Sequence, residues 1–175
     1  VDIINAFNNL ESSHLNNSVM LILALVFFVS AFGFKLALVP FHTWTPDVYE
    51  AASAPLAGFL AVVPKIAGLI VVIRMFEYLT LLNIDWMTSV LWVIAVLTMT
   101  LGNIMALSQE SVKRMLAFSS ISHAGFLITA VLLATDDSNA AMFLYWTFYL
   151  FSTMGAFAML WVFRHRFKPF QGRYD

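Results

Sequence analysis

Two lysines stand alone inside apolar stretches of the sequence. Lys35 lies in "AFGFKLALVP" and Lys65 in "AVVPKIAGLI", with no acidic residue close by in either stretch. A lysine at the centre of a bilayer costs roughly 2.5–3.5 kcal/mol on insertion scales. Removal from water disfavours the ammonium form, so such an amine can gain and lose a proton near neutral pH. We interpret both lysines as proton-transfer candidates; the alternative is that their long side chains snorkel to the interface without a function.

A histidine in "FSSISHAGF" is the third candidate for proton transfer. His123 follows Ser119 and Ser122 at spacings that place all three residues on one face of a helix. The unperturbed pKa of histidine is about 6.5, which suits a proton relay. The alternative is a neutral ring that is hydrogen-bonded to a serine or to a backbone carbonyl.

Each lysine has a proline nearby. Pro40 follows Lys35 by five residues, and Pro64 directly precedes Lys65. Proline removes a backbone hydrogen bond inside a helix, and transporters build ion sites where such broken helices meet intramembrane charges. The pattern favours a broken helix beside each lysine, with an ordinary packing kink as the alternative.

The composition is that of a membrane protein. Hydrophobic residues make up 61% of the 175 residues and charged residues 11%, whereas soluble domains have about 25% charged residues. The net charge of -1 provides no basic footprint for nucleic acid. The absence of cysteine excludes disulfides, thiol catalysis and cysteine-ligated clusters. The scattered histidines show no metal-ligand spacing, and there is no glycine-rich phosphate loop.

Five apolar stretches are long enough to cross a bilayer, which takes about 20 residues. They cover residues 19–39, 56–79, 86–107, 115–134 and 140–163. Because unpaired strands cannot cross lipid, we predict an all-α polytopic protein with five transmembrane helices. In the first link, Thr45-Pro46-Asp47 is typical of a helix start with Thr45 as the cap, which predicts a short helix over 46–52.

Basic residues predict the orientation. The short loops of one side hold most of them: Lys113, Arg114, Arg164, Arg166, Lys168 and Arg173. The other side has only Arg74, so the lysine-rich side is expected to be cytoplasmic, with the first span starting outside and the carboxy end inside. The sequence starts without Met and ends in "KPFQGRYD", so we expect residues 1–175 to be a single membrane-embedded segment of a longer chain.

Three long motifs carry a family resemblance. These are "GFKLALVPFHTWTPDVYEAASAP", "PKIAGLIVVIRMF" and "LGNIMALSQESVKRMLAFSSISHAGFL". They resemble the antiporter-like subunits N of proton-pumping NADH–quinone oxidoreductase, respiratory complex I, and in particular the seventh to eleventh transmembrane helices. The resemblance implies part of an inverted-repeat, antiporter-like bundle with broken helices.

The resemblance also implies roles. It places Lys35 on the broken seventh helix and Lys65 on the eighth, both as proton-channel lysines, and His123 at the polar position of the tenth. The implied function is proton translocation coupled to quinone reduction elsewhere in the complex. The chain itself would bind no redox cofactor, whereas the whole complex uses NADH, flavin, iron–sulfur clusters and quinone. The implied partners are other membrane subunits, including neighbouring antiporter-like ones, and the lipid of a bacterial inner membrane.

Two departures and two alternatives accompany this interpretation. The helices that carry the family's channel glutamate and second-half lysine lie outside the chain, and Pro64 stands where a small polar residue is expected. One alternative is a subunit of a cation/proton antiporter, which shares the lysine motifs. The other is a structural scaffold whose lysines are inert.

Overall fold

All regular secondary structure in the described residues is helical. The computed structural model describes residues 19–81, 85–133 and 135–166. In these ranges the helices are α1 (Val19–Leu36), α2 (Trp44–Ala51), α3 (Ala54–Leu81), α4 (Asp85–Leu107), α5 (Val112–Leu133) and α6 (Asp136–Arg166). The prediction of an all-α fold is confirmed.

Each predicted span coincides with a helix. In the described ranges, four helices are long and apolar enough to cross a membrane, namely α3 to α6. The apolar part of α1, Ile22–Leu36, is shorter. The first predicted span, 19–39, was therefore three residues too long. Ala37 has a φ of 60°, outside the helical region, and Pro40 disfavours a helical conformation at the residue before it.

The turn after α1 is fixed by backbone hydrogen bonds and by a contact with α4. The amide of Leu38 donates to the carbonyl of Gly33 at 2.8 Å. The Val39–Pro40 peptide bond is cis. The amide of Val39 donates to Oγ1 of the buried Thr98 at 3.0 Å. This turn provides the helix break that was predicted beside Lys35.

The short helix α2 starts two residues earlier than predicted. Its N-cap residue is Thr43, which makes no side-chain capping bond, and Thr45 lies inside the helix, fully buried. The prediction of Thr45 as the cap was therefore wrong. A tertiary contact fixes this helix start: Trp44 Nε1 donates to the carbonyl of Phe34 at 3.0 Å, and the two rings stack with centroids 5.4 Å apart.

Helix α5 lies at the centre of the bundle and packs against α2, α3, α4 and α6. Its closest approach is to α4, where two glycines face the opposite backbone. A Cβ at Gly102 would lie 2.8 Å from the backbone nitrogen of Ser122, and one at Gly125 would lie 3.0 Å from the carbonyl oxygen of Ala95. Glycine at these positions lets the two helix backbones touch.

Helix α3 packs against α6 and runs without interruption through Pro64. The break predicted beside Lys65 is therefore absent. At the α3–α6 contact, a Cβ at Gly58 would lie 3.2 Å from that of the buried Phe157. The outside of the bundle is apolar: Phe148 and Phe151 of α6 are 68% and 70% exposed. An apolar exterior over a packed interior is what a bilayer-embedded protein requires.

Charged side chains join α2 to the start of α5. Arg114 contacts Asp47 at 2.8 Å and Glu50 at 2.9 Å. Lys113 donates to the carbonyls of Glu50 and Ala52, at the carboxy end of α2. The first and third links between spans thus lie at the same end of the bundle, as the alternation of the predicted spans requires.

Candidate proton-transfer site

Lys65 is a buried amine without a carboxylate partner. It lies on α3 and is only 3% exposed. Its Nζ donates to the carbonyl oxygen of Ser120 at 2.6 Å and to the Ser120 hydroxyl at 3.0 Å. The ion pairs formed within 19–81, 85–133 and 135–166 involve Arg74 and Arg114 and leave Lys65 out. An ammonium group has three protons to donate, and two of them are used here.

Ser120 presents its oxygens to Lys65 because α5 crosses α3 at this point. The residue is 1% exposed, and its hydroxyl donates to the carbonyl of Ala117 at 2.9 Å within the helix. The hydroxyl lone pairs therefore remain available to accept from Lys65. Burial of a charged amine costs several kcal/mol, which two hydrogen bonds only partly offset.

Two buried tyrosines border the same serine. Tyr49 of α2 is fully buried and Tyr149 of α6 is 6% exposed; both hydroxyls lie near the Ser120 side chain, and that of Tyr149 also lies near Thr153, without a close hydrogen bond. Neither hydroxyl has a hydrogen-bond partner among the described residues. Buried hydroxyls are ordinarily satisfied by protein or water, so these two mark a polar spot in the core.

His123 faces α6 one helical turn from Ser120. Its Nδ1 is hydrogen-bonded to the hydroxyl of Tyr145. Its ring centroid lies 4.9 Å from that of Tyr149. The structure therefore gathers two of the three predicted residues, Lys65 and His123, around one buried polar cluster.

Lys35 is placed differently. Its side chain is exposed in this chain, at the end of α1. The side-chain stem lies against α3, where its Cγ is 3.7 Å from the position of a Cβ at Gly68, one turn beyond Lys65. Lys35 thus lies near the same level of the bundle as Lys65 but outside the buried cluster.

The other polar residues predicted near His123 point elsewhere. The Ser122 hydroxyl donates to the carbonyl of Met99 on α4 at 3.4 Å, and Ser119 forms none of the hydrogen bonds described for the cluster. The described part of the chain contains no group of three or more histidine, aspartate and glutamate side chains that could hold a metal ion.

Sequence reasoning did not find Ser120 or the tyrosines. Ser120 lies between two serines that were singled out, and only the crossing of α3 and α5 distinguishes it. Tyr145 and Tyr149 are four residues apart, which places both on one face of α6. That spacing was a usable signal, although it was obscured by the 15% aromatic content of the chain.

The fold and the site define a polytopic helical membrane protein with a buried lysine that has no carboxylate partner in the described part of the chain. The family described as "NADH:quinone oxidoreductase/Mrp antiporter, TM" matches residues 2–172. The chain therefore belongs to the NADH:quinone oxidoreductase/Mrp antiporter transmembrane family.

Named relatives agree with this assignment. The chain is 50% identical over 170 residues to NADH-quinone oxidoreductase subunit N of Campylobacter concisus. The aligned region covers 90% of this chain and 34% of the relative. It is 56% identical over 150 residues to the protein of the same name from Sulfurovum sp., covering 86% of this chain and 30% of the relative. The chain thus spans about a third of the length of the curated relatives it matches.

Solved structures share the arrangement. Respiratory complex I from Thermus thermophilus with bound aureothin matches at 34% identity with a TM-score of 0.67, covering 83% of this chain and 31% of that chain. A membrane-bound sulfane sulfur reductase, an archaeal respiratory membrane complex, matches at 26% identity with a TM-score of 0.70, covering 79% and 28%. Both similar structures are respiratory membrane complexes.

Proposed function

We propose that this chain is part of a proton-translocating membrane subunit of NADH–quinone oxidoreductase, with Lys65 and His123 as proton-transfer residues. The observation that carries the proposal is the burial of Lys65 without a carboxylate. A structural lysine in a protein core is normally paired with an acid or reaches the solvent. Lys65 does neither in the described structure, so a reversible protonation accounts for it best.

The cluster provides the groups that proton transfer requires. The Lys65 amine can release a proton, the Ser120 hydroxyl can both accept and donate one, and His123 can receive one at a ring nitrogen. These groups lie on α3 and α5, inside the bundle and away from lipid. Lys35, beside Gly68, is the proposed neighbouring amine on the route, as the family resemblance suggests.

The proposed setting follows the relatives. Proteins named NADH-quinone oxidoreductase subunit N occur in bacteria, which favours a bacterial inner membrane and other membrane subunits as partners. We propose that electron transfer from NADH through flavin and iron–sulfur clusters to quinone takes place in other subunits. Each proton moved against 100 mV requires about 2.3 kcal/mol, which that reaction would supply. The end that holds Lys113 and Arg114 is proposed to face the cytoplasm, by the positive-inside rule.

The test uses the full-length subunit in the assembled complex. Lys65→Ala removes the amine, and Lys65→Arg keeps a cation that cannot release its proton. Proton translocation in inverted membrane vesicles should fall sharply in both variants, with the complex assembled at normal levels. Arg74→Ala is the matched control, because it removes an exposed cation from the same helix and should leave translocation unchanged.

Normal translocation by assembled Lys65→Ala would support the scaffold interpretation and refute the proposal. If Lys65→Ala failed to translocate protons but Lys65→Arg translocated them normally, a permanent positive charge would suffice for translocation. That result would refute the reversible protonation of Lys65.

A cation/proton antiporter subunit is the second candidate, because the matched family includes Mrp antiporters. An imposed Na⁺ or K⁺ gradient distinguishes the two candidates. Such a gradient should drive proton movement through an antiporter in the absence of NADH, and should drive none through the subunit proposed here.

A further inference from the structure

A row of hydroxyls extends from Lys65 toward His123. The Lys65 Nζ donates to the Ser120 hydroxyl at 3.0 Å, and the Tyr149 side chain lies beside that hydroxyl. Tyr145 lies one turn before Tyr149 on the same face of α6, and its hydroxyl is hydrogen-bonded to His123 Nδ1. Two helices therefore interleave their polar groups: α5 supplies the serine and the histidine, and α6 supplies both tyrosines.

The Tyr149 hydroxyl is the incomplete link in this row. It is buried, with 6% of the residue exposed, and it lies near the side chains of Ser120 and Thr153 without a close hydrogen bond to either. An unsatisfied buried hydroxyl costs about 1–3 kcal/mol, whereas phenylalanine would fill the same space without that cost. The hydroxyl is therefore unfavourable for packing alone, and it stands between the two groups that exchange protons in the proposed function.

We propose that Tyr149, together with Tyr145, relays protons between Lys65 and His123. This inference rests on the proposed function and specifies the route within the same site. Ring contacts hold Tyr149 in position: its centroid lies 4.9 Å from that of His123 and 5.3 Å from that of Trp146. A rotation of the hydroxyl, or one bridging water, completes the contact with Ser120.

The transfer conserves protons at every step. The Lys65 ammonium releases one proton to Ser120 Oγ as the serine turns its own proton from the Ala117 carbonyl toward Tyr149. Tyr149 passes its proton to Tyr145, and Tyr145 passes its proton to His123 Nδ1. Each hydroxyl gains one proton and loses one, so only the end groups change: the ammonium becomes a neutral amine, and the imidazole becomes an imidazolium.

The experiment removes one hydroxyl at a time from the full-length subunit in the assembled complex. Tyr149→Phe and Tyr145→Phe keep the rings, and Thr147→Val is the matched control. Thr147 lies on the same helix, is exposed in this chain, and donates its hydroxyl to its own backbone at Phe143. Proton translocation by vesicles is measured in H₂O and in D₂O, and assembly is followed by native gel.

We expect the translocation rate to fall roughly tenfold in each tyrosine variant, below the 10²–10⁴-fold that positioned acid–base groups contribute, because water can partly replace a hydroxyl. The solvent isotope effect should increase in both variants, since proton transfer then limits the rate. A packing defect would leave the isotope effect as in the wild type. Thr147→Val should match the wild type in both measurements.

Wild-type translocation by Tyr149→Phe, in a background where Lys65→Ala fails, would overturn the relay and leave the proposed function intact. Wild-type translocation by both Tyr149→Phe and Lys65→Ala would overturn the proposed function itself. Should Tyr149→Phe fail to assemble, Tyr145→Phe decides the matter: a normal rate and isotope effect would refute the relay.

Discussion

The contact between α4 and α5 should tolerate no added atom at Gly102. A Cβ there would lie 2.8 Å from the backbone nitrogen of Ser122 and 3.0 Å from its Cα and Cβ. These are mostly backbone atoms that cannot rotate away, so Gly102→Ala must push the helices apart. Overpacking of this kind typically costs about 1–3 kcal/mol.

Helix propensity works against this effect and requires a control. Alanine is better than glycine in a helix by about 0.8–1.0 kcal/mol, which offsets part of the clash. Gly155→Ala provides the same propensity gain at a position where an added Cβ meets nothing within 4 Å. The packing cost is therefore the difference between the two variants, about 1–3 kcal/mol, with Gly102→Ala the less stable.

The assay is thermal unfolding of the full-length subunit in the purified complex, with both variants measured side by side. Gly102→Ala should melt below Gly155→Ala. It should also lose proton translocation, because Ser122 directly precedes His123 and a displaced α5 moves the site. Equal melting temperatures of the two variants would refute the close approach of α4 and α5 at Gly102.

Substitutions at two further positions test how the carboxy ends of α1 and α2 are held. Thr98→Val should destabilise the subunit by about 1–3 kcal/mol, because the buried amide of Val39 loses its acceptor; Thr98→Ser keeps the hydroxyl and should restore most of the loss in melting temperature. Lys113→Met should cost about 0.3–1 kcal/mol, because the carbonyls of Glu50 and Ala52 at the end of α2 lose a cationic donor. Limited proteolysis should then cut near Ala52 faster than in the wild type, and an unchanged cutting rate would contradict that role for Lys113.

The sequence predicted the helices better than their ends. Long apolar runs dictate spanning helices, since a bilayer leaves the backbone no other way to satisfy its polar groups. Helix ends depend on tertiary contacts that a local pattern does not contain. Thr45 resembles a cap in sequence, yet the bond from Trp44 to the Phe34 carbonyl starts α2 earlier and leaves Thr45 inside the core. Pro64 resembles a breaker, yet α3 continues through it.

The candidate site was likewise predictable only in part. Lys65 could be predicted because a single charge in an apolar run is conspicuous at any position of the fold. Its partner could not, because Ser119, Ser120 and Ser122 are chemically equivalent until the crossing of α3 and α5 selects one of them. Tyr149 was missed for a related reason, since its proposed role depends on burial of the hydroxyl beside Ser120 rather than on residue type.

The contacts between neighbouring residues of the site differ in strength. This difference determines which contacts a helix movement would change first. Lys65 is tied to Ser120 by two hydrogen bonds, and His123 is tied to Tyr145 by one. The step from Ser120 to Tyr149 has no such bond and depends on how α6 packs against α3 and α5. Helices packed by van der Waals contact can slide slightly at low cost, whereas a buried hydrogen bond to a charge resists extension. In the proposed relay, a shift of α6 would therefore move Tyr149 relative to Ser120 and Tyr145 relative to His123 together, because both tyrosines lie on α6, and only the bonds of Lys65 to Ser120 would keep their geometry.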